Sequence, residues 1–234
     1  MKRSGWFGFV PFYLLVLICV IGIASAGSSA VTVIAQNRPV ARQNCIVIDA
    51  GHGGIDGGAT SCTGVLESMI NLDIALRIND LFCLLGYDTV MIRKTDESIY
   101  TEGSTIAAQK LSDLKERVRI TSETENAVLI SIHQNTFSDS RYHGAQVFYA
   151  PTLESDQLAK RLQQDLIACL DPDSNRQIKK ADNVYFLQHI SCPGVLIECG
   201  FISNPEEEAK LRSEDYQKKL AAVIVSACSL FLAE

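Results

Sequence analysis

The sequence predicts an α/β fold, a three-layer sandwich whose largely parallel central sheet is flanked by helices. Three observations point there. Short, mostly β-branched apolar runs recur along the chain, and longer amphipathic stretches of helical period separate them. The apolar runs are near-continuous rather than alternating, as strands covered on both faces are. The 234 residues carry 47% hydrophobic and 21% charged side chains, which suits a packed core and leaves little room for extended disorder.

The elements follow in order. Lys2 and Arg3 precede an apolar stretch over 7–23, and Ala24-Ser25-Ala26 supplies small residues after it. This is the charged, apolar, small-residue order of an export signal, and the stretch is also long enough to anchor the chain uncleaved. Residues 1–26 are therefore expected as a signal peptide or membrane anchor, 27–44 as a polar linker containing Pro39, and 45–234 as the catalytic domain. Strands are expected over 45–48, 88–92, 127–132, 146–149 and 194–197. A helix over about 66–85 places Ile70, Ile74, Ile78, Leu81, Phe82 and Leu85 on one face, with Gly86 as its stop. A second, over about 154–170, aligns Leu158, Leu162, Leu166 and Cys169. Asn204-Pro205 followed by three glutamates reads as a helix start, and a last helix over about 214–232 buries Leu220, Val223, Ile224, Ala227 and Phe231. Residues 95–115 read either as a substrate lid or as a long surface connection.

Composition excludes some functions. The net charge of −6 and the scattered Lys and Arg give no electrostatic footprint for nucleic acid. Membrane contact is expected only through the N-terminal segment. Outside that segment seven cysteines remain, an odd number with no C-x-x-C pair, so neither a disulfide framework nor a cysteine metal site is indicated.

Open α/β sheets bind ligands beyond the carboxyl ends of their strands. Those positions hold Asp49-Ala50-Gly51-His52-Gly53-Gly54, Arg93, His133-Gln134-Asn135 and Glu198-Cys199-Gly200. Glu67 joins them because the count 67, 70, 74, 78, 81 puts it on the apolar stripe of the first helix, where a carboxylate is costly unless paired or metal-bound. The bland alternative is that Glu67 merely favours the helix dipole. His52, Glu67 and His133 with one open position suit one catalytic zinc, and Glu198 is left as general base and acid. Arg93 and Asn135 are candidate contacts to substrate or to developing oxyanion charge. Asp49 and Asp56 could orient His52 or simply bond their own backbone in the turn. His143 and His189 are set aside as structural or solvent-facing. Cys199 alternates with Glu198 and should point to the opposite face, as buried filler rather than nucleophile.

These stretches resemble a known family. Residues 49–59, Glu67 with Asn71-Leu72, Ser131-Ile132-His133-Gln134-Asn135 and 198–204 match, in order, the zinc-dependent N-acetylmuramoyl-L-alanine amidases of the amidase-3 type. The resemblance covers 45–234. It implies zinc on His52, Glu67 and His133, a catalytic Glu198, and cleavage of peptidoglycan between the lactyl group of N-acetylmuramic acid and L-alanine. Thr101-Glu102-Gly103, the stretch Asp113-Leu114-Lys115-Glu116-Arg117 and the lack of a wall-binding repeat look like the germination-specific spore-cortex branch. That branch implies an extracytoplasmic setting, such as the forespore envelope, and a downstream polysaccharide deacetylase that completes muramic δ-lactam. Ser68 stands where members often carry lysine, which removes a substrate contact and leaves the ligand intact. A rival reading is an amidase fold that holds muropeptides without cutting them.

Overall fold

In the computed structural model, which describes residues 44–234, the first element is a strand opening at Cys45. The expected signal or anchor, and the expected linker up to its last residue, lie outside the described residues. The chain runs β1 (Cys45–Ala50), α1 (Glu67–Leu84), β2 (Asp88–Met91), α2 (Ile106–Glu123), β3 (Ala127–Asn135), β4 (Gln146–Tyr149) and α3 (Ser155–Leu170). It continues with β5 (Lys179–Lys180), α4 (Tyr185–His189), β6 (Gly194–Phe201), α5 (Pro205–Leu211) and α6 (Glu214–Phe231). The six strands form one sheet in the order β2-β1-β3-β6-β4-β5, parallel at every junction except β4 against β6.

Side-chain alternation assigns each strand residue to one of two cores. Ile46, Ile48, Ile130, Ile132, Val195 and Ile197 meet Ile74, Ile78 and Phe82 of α1, Leu158 and Leu162 of α3, and Leu220 and Ile224 of α6. Val47, Leu129 and Leu196 face the other way, toward Phe186, Leu187 and Ile190, with half-buried Leu114 and Val118 of α2 packed beside them. Both faces are dry, so the strands read as continuous apolar runs, and each fully buried Ile or Leu contributes about 1.5–3 kcal/mol. The helices end by local chemistry. Asn204 caps α5 by accepting from the Glu206 and Glu207 amides, and Ser213 accepts from the Tyr216 amide at the start of α6.

The structure corrects several expectations. The segment over 95–115 is not one long connection: its second half begins α2, a regular helix capped by Thr105 onto the Ala108 amide. β3 and β6 run past 132 and 197, so His133 and Glu198 stand within paired strands rather than beyond them. They face each other in register, and the ladder shifts by a bulge between His133 and Asn135. Leu85, expected on the buried face of α1, is 52% exposed.

Candidate metal centre and active site

Three adjacent strands, β1, β3 and β6, deliver His52, His133 and Glu198 to one end of the sheet, and the first turn of α1 delivers Glu67. Leaving β1, the chain must reverse sharply, and it does so with positive φ at His52 (62°), Gly53 (133°) and Gly54 (56°). Glycine at 51 is a packing requirement, since a Cβ there would sit 2.2 Å from the His133 ring. At Gly58 a Cβ would meet Glu67 Oε2 at 2.6 Å. The loop is thus wrapped closely around the two rings.

The Glu67 carboxylate lies between the imidazoles. Its Oε1 is 3.1 Å from His133 Nδ1 and its Oε2 is 3.4 Å from His52 Nε2. Backbone amides complete the shell: Gln134 donates to Oε1 at 3.0 Å and Ala59 to Oε2 at 2.9 Å, while Asn71 Nδ2 approaches Oε1 at 3.3 Å. One donor atom from each of His52, Glu67 and His133 falls within 4.8 Å of the others, so the set could hold a metal ion. Two imidazole nitrogens and a carboxylate oxygen are the donor set of a catalytic divalent site. At only 4% exposure and turned inward, Glu67 is no ornament of the helix dipole.

Electrostatics agree with that geometry. Burial would raise the Glu67 carboxyl, yet the hydrogen bonds and charges of His133 and His52 outweigh it and hold it well below the usual range. Burial would lower His52, but Glu67 and Asp56 overcome it and raise the ring to about 9. Glu198 behaves oppositely: burial pushes its carboxyl up to about 7 against the attraction of His133. Its Oε2 is buried and has no hydrogen-bond partner among the described residues. An orphaned carboxylate oxygen beside two imidazoles and a second carboxylate fits a site built to take on a cation and a proton.

Supports reach the site from α2. Asp56 Oδ2 lies 2.8 Å from His52 Nδ1, which leaves Nε2 toward Glu67, and Lys110 holds the other Asp56 oxygen at 2.7 Å. Arg117 donates to the His52 carbonyl at 2.8 Å and the Ala50 carbonyl at 3.1 Å, and its guanidinium also pairs with Asp49 and Asp113. Asp49 in turn accepts from Ser131 Oγ at 2.6 Å. Of the two aspartates flanking His52 in sequence, Asp56 is therefore the one that orients the ring. The sequence did not single out Lys110, and it offered Arg117 only within a family-like stretch, because their helix was missed. The Asp113/Arg117 pair, at i,i+4, was the available signal.

Arg93, a candidate substrate contact, is spent elsewhere. It is 2% exposed and donates to the carbonyls of Ala50, Gly51, Ser68 and Thr95, which ties the His52 loop to α1 instead of facing the reacting groups. Asn135 stays near the site, half-buried at the end of β3. Cys199 is buried in the opposite core, where burial raises its thiol far above the usual value. His143 approaches Asp171 at 3.3 Å and His189 stacks on Tyr185, both outside the cluster.

Comparison with known proteins identifies the family. The chain matches the N-acetylmuramoyl-L-alanine amidase family over residues 46–229. A germination-specific N-acetylmuramoyl-L-alanine amidase of Bacillus subtilis is 35% identical over 191 residues, 81% of this chain and 80% of that protein. Among solved structures, the CwlD amidase of Clostridioides difficile, in complex with the GerS lipoprotein, superposes with a TM-score of 0.78 at 38% identity. That match covers 81% of this chain and 98% of the other. An N-acetylmuramoyl-L-alanine amidase from Clostridium difficile 630 follows, with a TM-score of 0.72 at 28% identity over 82% and 97% of the two chains. Fold, ordered motifs and sequence identity agree, and the chain belongs to the N-acetylmuramoyl-L-alanine amidase family as a peptidoglycan amidase.

Proposed function

We propose that His52, Glu67 and His133 hold one zinc ion and that Glu198 is the catalytic proton carrier for cleavage between the lactyl group of N-acetylmuramic acid and L-alanine. The single observation that carries this reading is the buried, unpartnered Oε2 of Glu198 beside the His/Glu/His cluster. Zinc, when bound, supplies Lewis acidity that polarises the scissile carbonyl and makes water a competent nucleophile at neutral pH. Glu198, its carboxyl pushed up by burial, takes the proton of the attacking water and returns it to the departing alanine nitrogen. Asp56 and Lys110 keep the His52 ring in one tautomer, and Asn135, two residues beyond His133, is the proposed contact to substrate near the scissile bond. A module that only holds muropeptides would have no use for a buried carboxylate left unsatisfied.

Glu198→Gln is expected to lower turnover by about 10²–10⁴-fold, the range of a lost general base, while zinc stays bound. Peptidoglycan digestion followed by detection of free N-terminal L-alanine, with metal content measured in parallel, checks both halves. Loss of zinc together with activity would make Glu198 a ligand and overturn its assigned role.

The germination-specific relative supports a setting in spore cortex. There the peptide-free muramic acid left by this chain is the substrate a polysaccharide deacetylase needs before δ-lactam can close. Action outside the cytoplasm, reached through the N-terminal segment, belongs to the same proposal. Among the described residues no helix is long and apolar enough to cross a membrane. The lipoprotein bound to the solved relative makes a lipoprotein partner the corresponding reading for this chain.

A further inference from the structure

Beside Glu198 the sheet opens into a feature that the cleavage chemistry does not use. Gln146 of β4 stands opposite Glu198 in the β4–β6 ladder, and a groove of about 710 Å³ extends from it across residues 139–143 and 173–179. Arg141, Arg176 and Lys179 line this groove against Asp139 and Asp173. In a chain of net charge −6 that is a local excess of cations. Both oxygens of Asp139 are already taken by Arg141. Among the described residues, Arg176 has no carboxylate partner.

Arg176 is nonetheless held in place. Its Nε donates to the His143 carbonyl at 2.7 Å and its Nη1 to Gln146 Oε1 at 3.2 Å, and its guanidinium lies 4.5 Å over the Phe201 ring. Gln146 is itself buried and fixed by donating to the Gln177 carbonyl at 2.7 Å. Every partner of the guanidinium is neutral, and Nη2 carries no hydrogen bond among the described residues. A preorganised arginine fork without a counter-ion suits a carboxylate arriving from solution. The substrate offers carboxylates on one side only. Its sugars are neutral N-acetylated rings joined to the lactyl group, whereas the stem peptide beyond the scissile nitrogen bears free carboxyl groups.

We propose that this groove over β4 and β5 holds the stem peptide and that Arg176 binds one of its carboxylates, a specificity contact beside the reacting groups. The inference rests on the cleavage reading above, which places the scissile bond at Glu198. It predicts discrimination by charge on the peptide side of that bond.

The test uses the zinc-loaded full chain and two muropeptides, one with free stem-peptide carboxylates and one with the same groups converted to amides. Wild-type protein is expected to favour the free form by about tenfold in kcat/KM, carried by KM, the size of one charge-assisted hydrogen bond at a part-exposed site. Arg176→Gln removes that preference, leaving the amidated substrate unaffected and zinc content unchanged, with the thermal midpoint lowered only by the lost bonds to His143 and Gln146; Arg176→Lys restores part of it. Lys179→Gln, at an exposed position, gives a smaller loss confined to the free form. Equal losses of Arg176→Gln on both substrates would assign Arg176 a structural role and overturn the proposal. So would cleavage of both forms at the same rate by wild type, with the amidase reading intact. Cleavage of neither form by the zinc-loaded wild type would remove the cleavage reading itself.

Discussion

At the residue scale, the site is governed by how closely backbone approaches ring. Gly51 was visible in the sequence only as a turn residue, but the structure gives it a second reason, since any Cβ would enter the His133 imidazole. His52 with φ of 62° is the sharper case, because a non-glycine residue pays for that conformation and keeps it only when its surroundings insist. Those surroundings are the Arg117 bond to the His52 carbonyl and the Asp56 bond to its ring. Asp56→Asn keeps the size of the side chain but weakens its hold on Nδ1 and releases the ring to either tautomer. Zinc affinity is expected to fall about 10–100-fold, the usual consequence of losing such a carboxylate, with folding stability nearly unchanged. Competition against a chromogenic chelator measures it, and an unaltered affinity would show that Asp56 serves the turn alone.

At the scale of elements, what could be read and what could not divides by the kind of face each helix buries. α1, α3 and α6 present Ile, Leu and Phe to a dry core at helical spacing, and their bounds follow the sequence to within a residue or two. α2 turns Ser112, Arg117 and Thr121 inward. Only half-buried Leu114 and Val118 mark that face among these polar residues, so periodicity had little to find. β5, with two residues at the sheet edge, is likewise too short to leave a pattern. The buried Arg117 carries a definite consequence. Removing it strands Asp49, only 1% exposed, without its counter-charge, and breaking such a pair costs about 3–5 kcal/mol. In the intact protein, burial works to raise Asp49, but Arg117, His133 and Ser131 prevail and its carboxyl is held low. Stability from a depressed carboxyl is present above its unfolded value of about 3.9 and is lost as pH falls through the folded value. In Arg117→Ala, burial acts without its main opponent, so protonating Asp49 relieves the variant. Urea denaturation should therefore show the full deficit at pH 7 and a narrowing gap to wild type toward pH 4. A gap that stays constant would place the cost of the substitution in packing and not in charge.

Across the whole molecule, strand order explains why residues far apart in sequence form one site: β1, β3 and β6 are neighbours, and each carries its chemistry at the same end. The motifs were legible because they sit where an open sheet exposes strand ends, whereas the groove at Arg176 was not, since it depends on loops that meet only after folding. The same architecture decides how far the fold depends on metal. Two apolar cores, one on each face of the sheet, are complete without any contribution from the His/Glu/His cluster. Glu67 has Gln134, Ala59 and Asn71 as donors of its own. On the proposed reading, metal binding is therefore a stabilising ligand equilibrium on a folded protein, unlike small zinc domains that unfold when stripped. At free zinc about a thousandfold above its dissociation constant, the linkage is worth about 4 kcal/mol. For a domain of this size that corresponds to roughly 8–16 °C in thermal midpoint. Chelation should lower the midpoint by that order and abolish cleavage, while far-ultraviolet circular dichroism at 25 °C stays the same and zinc restores both losses. Collapse of the helical signal on chelation would mean that the metal closes the core as well as the active site.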